Sequence, residues 1–288
     1  MTRRGRAGAA WRRAAWLGLV WGLPVLLVLL PLLAFLAHSF FYVEADRIVY
    51  QPTLRNYARF FDDAIYLPLF LKTVLLALEI VAITLVVGYP CAYLLAGLKG
   101  RLRYVLALVF TMPLFMSYII KIYAIRAILG TKGVLNNTLI WLGLIDKPSD
   151  LFLFNFTAVL ITLSVILLPF TALPIFVALE RIPRQLLDAA ADLGGRRWYA
   201  FRRVELPLSL PGAVTGAMFT FVLAVGDFVT PEMVGGTTGF TYGRVVYSQF
   251  GMAYNWPFGA ALSVILLLVV LAALLLAGWA GRQRGTAR

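Results

Sequence analysis

The sequence predicts an all-α integral membrane protein of about six transmembrane helices, and three observations carry that prediction. Of its 288 residues, 61% are hydrophobic and 14% charged, against ~25% charged in an ordinary soluble domain. Four stretches carry no charge: Ala14 to Tyr42, Leu151 to Leu179, Leu206 to Gly226 and Val245 to Ala280. Each reaches the ~20 residues needed to cross a ~30 Å hydrocarbon core. Arginine and lysine, finally, collect in alternate segments between the apolar runs.

The elements follow in order. Residues 1–13 form a basic N-terminus carrying Arg3, Arg4, Arg6, Arg12 and Arg13. The run behind it, residues 14–42, is a retained first transmembrane helix. It greatly exceeds the ~7–15-residue core of a signal peptide, and no small-residue cleavage site follows it. Segment 43–68 lies outside the bilayer, and residues 69–280 hold five further helices. Two of these are short. Ile80 to Leu98 is uncharged behind Glu79, and Tyr104 to Ile120 is uncharged up to Lys121. Both need their polar neighbours to face protein rather than lipid. Residues 281–288 form a basic tail.

Most of the 26 basic residues fall in the N-terminus, in Lys99/Arg101/Arg103, in Arg181/Arg184/Arg196/Arg197/Arg202/Arg203 and in Arg282/Arg284/Arg288. The positive-inside rule puts these segments, and both termini, in the cytoplasm. The net charge of +13 is then a topology signal. Nucleic-acid binding, which such a charge suggests in a soluble chain, is not needed to explain it. Segments 43–68, 124–150 and 229–256 face outward and are long enough to meet a partner. Cys91, alone in the chain, is a small core residue. The lone His38 is interfacial rather than a metal ligand.

The most informative stretch is the cytoplasmic loop from Arg181 to Gly212. Pro183 suits a first helical turn, Leu186, Leu187, Ala190 and Leu193 recur at helical spacing, and Gly194 supplies a left-handed residue that ends the helix. A second short helix runs from about Arg196 to Glu205 and presents Trp198 and Phe201 among arginines, with Pro207 and Pro211 stopping it. The result is a helix-turn-helix hung between two membrane helices, and three readings compete. A DNA-reading element fits the charge, but both ends are tethered at the bilayer. An amphipathic helix lying on anionic lipid is physically sound. A docking element for a cytoplasmic protein explains the small Ala189 and Ala190, the turn at Gly194 and the aromatic anchors Trp198 and Phe201.

Asp188-Ala189-Ala190-x-x-x-Gly194, followed by Phe201, Val204, Leu206 and Pro207, resembles the EAA loop of binding-protein-dependent ABC-importer permeases, with Asp188 in place of the usual Glu. Val87-Gly88-Tyr89-Pro90-Cys91-Ala92-Tyr93, Gly130 to Asn136, Gly226 to Glu232 with Gly235-Gly236, and Trp256 to Ala261 resemble the spermidine/putrescine branch of that family, and its first permease in particular. The resemblance implies a type I importer permease fold, with the loop over 181–207 forming coupling helices that sit in a groove of the ATP-binding subunit. It also implies a second permease, two ATP-binding subunits and a periplasmic solute-binding protein as partners. No Gly-Lys-Ser/Thr occurs, so the chain has no phosphate cradle of the Walker type. ATP and Mg then belong to the partner ATPase, and this chain is a transport subunit without a cofactor.

Charges near the membrane interior are candidate functional groups because they are costly there. Glu79, Asp227 and Glu232 can pair with the ammonium groups of a polyamine, and Tyr89, Tyr93, Phe228 and Trp256 can offer cation–π faces. The structural alternatives are pairing of Glu79 with Lys72 or Lys121, satisfaction by Asp227 of backbone groups freed near Pro231, and interfacial belts for the aromatics. Lys121 weighs against a cation path if it faces the lumen. Gly212, Ala213, Gly216 and Ala217 make a small-residue face, fit either for a partner permease or for internal packing.

Overall fold

The computed structural model describes residues 16, 18–45, 47–192 and 194–285, so the N-terminal arginines and Leu193 lie outside the described residues. Contacts divide the chain into two units, residues 1–62 with 248–267, and residues 63–247 with 268–288.

In the first unit a π-turn, Gly18–Gly22, leads into α1, Leu23–His38. None of α1's residues is buried, so lipid or another chain must cover it. An antiparallel hairpin follows, β1 (Tyr42–Glu44) and β2 (Arg47–Val49), with Tyr42 opposite Val49. The helix α2, Arg55–Asp62, then returns Asn56, whose amide donates to the carbonyls of Ser39 (3.0 Å) and Phe41 (2.6 Å). The His38 ring bonds the Ala34 carbonyl of its own helix through Nδ1 at 2.8 Å and meets Phe41 edge-on at 5.7 Å.

The second unit is built on three long helices, α3 (Tyr66–Gly97), α7 (Phe156–Glu180) and α10 (Leu206–Gly226). Glycines let them approach. A Cβ on Gly216 would fall 2.5 Å from the Thr171 carbonyl oxygen, and one on Gly212 would fall 2.5 Å from that of Pro174. The small-residue face, Gly212-x-x-x-Gly216 with Ala213, is therefore internal packing between α10 and α7, as small-xxx-small spacing permits. At the centre, three fully buried threonines, one from each helix, form a directed chain. Thr220 and Thr171 hydroxyls meet at 2.6 Å, Thr171 donates to Thr84 at 3.0 Å, and Thr84 donates to the Val81 carbonyl at 3.1 Å.

Between α3 and α7 the expected third span is broken. It consists of α4 (Arg101–Thr111), a 3₁₀ turn over Met112–Phe115, then α5 (Tyr118–Leu129) and α6 (Val134–Trp141). The two limbs meet at a bend of 102°. Pro113 cannot donate to the helical ladder, so an apolar run that looks continuous turns aside before Ser117. The chain ends with α8 (Arg184–Asp192), α9 (Arg197–Ala200), α11 (Val229–Val234), α12 (Tyr242–Gly251) and α13 (Trp256–Gly285), of which α8 and α9 precede α10. Among the described residues five helices are long and apolar enough to cross a membrane, or six if the bent pair counts as one.

Candidate functional site

The loop between α7 and α10 is shaped by its glycines. Gly194 has φ 75°, its N–H bonds the Ala191 carbonyl at 2.9 Å, and the Gly195 N–H reaches back to Ala190 at 3.0 Å. This pair of bonds is a Schellman ending. A Cβ on Gly195 would lie 2.6 Å from the Ala190 carbonyl oxygen. Ala190 is buried by this turn, so of the two small residues expected to admit a partner only Ala189 is open, beside the exposed Asp188.

The second arm departs from expectation. Pro207 and Pro211 do not stop a helix, because α9 runs through a π-turn, Phe201–Glu205, into α10 as one 30-residue rod, Arg197–Gly226. The Leu206 N–H bonds the Phe201 carbonyl, five residues back. That wider turn accommodates the donor that Pro207 lacks. Pro207 itself is exposed on the first turn of α10.

Aromatic contacts tie this rod to α3. Trp198, 69% exposed, stacks on Phe201 with ring centroids 5.3 Å apart. Phe201 in turn meets Tyr93 at 5.3 Å and Tyr89 at 5.9 Å, both edge-on. The Tyr89 and Ser209 hydroxyls lie 2.6 Å apart, and Tyr93 donates to Glu205 at 3.0 Å. An apolar cleft of about 390 Å³ opens between them. Tyr89 and Tyr93, expected along a solute path with Asp227, thus stand with the loop. Ser209 and Gly226 are separated by about 25 Å along α10, at 1.5 Å per residue.

Asp227 sits at the other end of the rod, just past Gly226. Its Oδ1 accepts from the Tyr118 hydroxyl at 3.0 Å and its Oδ2 from the Thr230 N–H at 3.1 Å. Tyr118 also lies 3.0 Å from the Thr230 hydroxyl. The carboxylate therefore joins the two breaks in the chain, the bend before α5 and the end of α10, and does satisfy backbone near Pro231. Beside it Phe228 stacks on Tyr247 with centroids 4.5 Å apart. Glu232 is ion-paired with Arg244, whose Nη1 also donates to the Gly236 carbonyl at 3.0 Å. Lys121 lies 5.4 Å from the Tyr118 ring. Glu79, half-buried midway along α3, has neither expected partner, since Lys72 donates to the Thr238 carbonyl at 3.4 Å and lies over the Phe156 ring at 4.7 Å. Trp256 opens α13 and meets Phe250 edge-on at 6.0 Å. No cluster fit for a metal ion occurs among the described residues.

Glu205, Ser209, Tyr118, Arg244 and Tyr247 were not singled out from the sequence. Only Glu205, an acid two residues after Arg203 in a stretch with four arginines, left a local sign. Ser209 and Tyr118 are recognised by partners more than a hundred residues away, Arg244 by its ion pair with Glu232 and Tyr247 by stacking on Phe228.

Residues 86–282 match the family described as binding-protein-dependent transport system inner membrane component. The chain is 38% identical over 250 residues to the spermidine/putrescine transport system permease protein PotB of Salmonella typhimurium, covering 86% of each. It is 37% identical over 259 residues to PotB of Escherichia coli K12, covering 90% of this chain and 93% of that protein. Its fold is similar to a bacterial ABC transporter involved in the import of the acidic polysaccharide alginate, at TM-score 0.72 and 18% identity, covering 97% of this chain and 98% of that one. A second alginate transporter structure, in complex with an alginate pentasaccharide-bound periplasmic protein, matches at TM-score 0.70 and 17% identity, covering 94% and 96%.

Proposed function

Because the chain belongs to the binding-protein-dependent inner membrane components, the permease subunits of ABC importers, we propose that it carries a small polyamine cation, spermidine or putrescine, into the cell. The observation that supports this cargo is the 38% identity to a spermidine/putrescine permease over 86% of both chains. ATP hydrolysis belongs to a separate subunit. In this reading the permease works with a second permease, two ATP-binding subunits carrying ATP and Mg, and a periplasmic binding protein that delivers the solute. The deciding experiment is uptake of labelled spermidine and putrescine by the reconstituted assembly. ATP-dependent uptake of neither, with uptake of an unrelated solute, would discard the polyamine assignment.

The loop over 181–207 is the contact with the ATP-binding subunit. Its exposed face carries Asp188, Ala189 and Trp198, and Phe201 lies behind Trp198, against Tyr89 and Tyr93. Closure of the ATPase pair then moves the rod from Arg197 and rocks the permeases between outward and inward openings. Both termini face the cytoplasm, as the arginines before residue 14 favour. A Thr2→Cys variant is expected to resist a membrane-impermeant thiol reagent in intact spheroplasts and to react after lysis. Labelling of intact spheroplasts would invert every loop.

Asp227, with Phe228 beside it, is the strongest candidate for the solute path, while Glu232 is already neutralised by Arg244 and Glu79 has no ion-pair partner among the described residues. In Asp227→Asn the amide can still accept from Thr230 and donate to Tyr118, so assembly should persist. A lost charge facing a cation is worth about 1–4 kcal/mol between water and a protein surface. Uptake is therefore expected to fall at least about fivefold. Wild-type uptake by Asp227→Asn would leave the carboxylate a purely structural clasp.

A further inference from the structure

A second cleft, of about 560 Å³, lies between the α3–α4 connection and the loop of α8 and α9, and Lys99, Arg103, Glu180, Arg184, Asp188 and Arg197 line it together with apolar residues. Its size falls among ligand sites, which run ~300–1,000 Å³. It flanks the ends of α3 and α7, where membrane helices give way to polar loops.

Arg103 is the informative side chain. Its Nη2 pairs with Glu180 at 2.6 Å, and its guanidinium sits 5.3 Å from the Phe176 ring. Its Nε–H is buried and has no hydrogen-bond partner among the described residues. A buried unpaired donor on a cation carries a desolvation cost of ~1–3 kcal/mol or more, which a small rotation of the guanidinium toward an acceptor in the cleft would remove. Guanidinium geometry matches a phosphate oxygen, and Lys99 and Arg184 add positive charge.

Of the acids in the cleft, Glu180 is held by Arg103 and Glu205 receives the Tyr93 hydroxyl, which leaves Asp188. That mixed charge suits a phosphodiester bearing one negative charge better than a polyanion such as a nucleotide. The apolar wall supplied by Leu179, Ile182 and Leu187 suits the glycerol and first methylenes of a lipid. We propose that this cleft holds the headgroup of an anionic phospholipid, with Arg103 and Lys99 as its phosphate contacts. Such a lipid would brace the connection between α3 and α4 against the loop that carries Asp188. The inference uses the chain's place in a membrane and not its cargo. The orientation above decides only the leaflet.

The test uses the intact transporter purified in mild detergent, with lipid retained on the permease subunit read by native mass spectrometry. Phosphatidylglycerol, phosphatidylcholine and inorganic phosphate are added separately and in competition. The wild type should retain phosphatidylglycerol in preference to phosphatidylcholine. Arg103→Gln should weaken that retention about tenfold, as expected for one charge-assisted hydrogen bond. Lys99→Gln leaves the Arg103–Glu180 pair intact and guards against simple misfolding, and it should weaken retention by a smaller factor. Equal retention of the two lipids, or retention unchanged in both variants, would overturn the proposal. Displacement of phosphatidylglycerol by inorganic phosphate would overturn the lipid assignment in favour of a free phosphate.

Discussion

Replacing Gly216 by valine is expected to abolish most of the folded permease. The first added carbon would meet the Thr171 carbonyl oxygen at 2.5 Å and the Thr171 Cα at 2.9 Å, atoms of the α7 backbone that cannot rotate away. The helices must then separate, and the Thr171–Thr220 hydroxyl contact at 2.6 Å is lost with the packing. Overfilling such a contact costs about 3 kcal/mol, or more where the backbone is the obstacle. Fluorescence-detected size exclusion of the tagged chain measures the outcome, with Gly216→Ala as a milder member of the series. A monodisperse Gly216→Val protein with wild-type thermal stability would show that α7 and α10 do not approach in this way.

Gly194→Val should have a different signature, a loss of coupling in a permease that still folds. Nothing lies within 4 Å of a Cβ there, so the whole penalty comes from holding a β-branched residue at φ 75°, about 1–3 kcal/mol. The Schellman ending loosens and the two arms of the loop lose their angle. Solute-stimulated ATP hydrolysis by the reconstituted assembly is expected to fall about fivefold or more as the competent loop geometry is depopulated. Membrane insertion should persist. Gly194→Asn, which tolerates the left-handed region better, should recover much of the activity. Full stimulation in the valine variant would remove the loop from its proposed place against the ATP-binding subunit.

How much of this was legible in the sequence varies with the range of the interaction. Uncharged runs locate α1, α7, α10 and α13 because membrane burial is a property of composition along one stretch. Gly194 could be read as a helix end for the same local reason. The third span could not, since a bend of 102° changes no residue's polarity and Pro113 was one proline in an apolar run. Pro207 misled because a proline rule framed for an α-ladder does not foresee a π-turn just before it, and Pro211 is simply carried inside α10. Tyr89 and Tyr93 were grouped with the acids on chemical grounds, whereas Phe201, Ser209 and Glu205 hold them about 25 Å away. The threonine chain through Thr84, Thr171 and Thr220 leaves no trace in any single helix.

The unbroken course of the rod from Arg197 to Gly226 has a mechanical consequence. Thirty residues at 1.5 Å rise make a lever about 45 Å long. Pivoted at the loop, a tilt of about 5° carries the far end through about 4 Å, roughly one van der Waals diameter of a methylene. The π-turn lies near its short end, and the threonine chain ties its far half to α3 and α7. If Trp198 meets the ATP-binding subunit as proposed, a small stroke there would be geared into a displacement at Asp227 large enough to admit or exclude an alkyl chain.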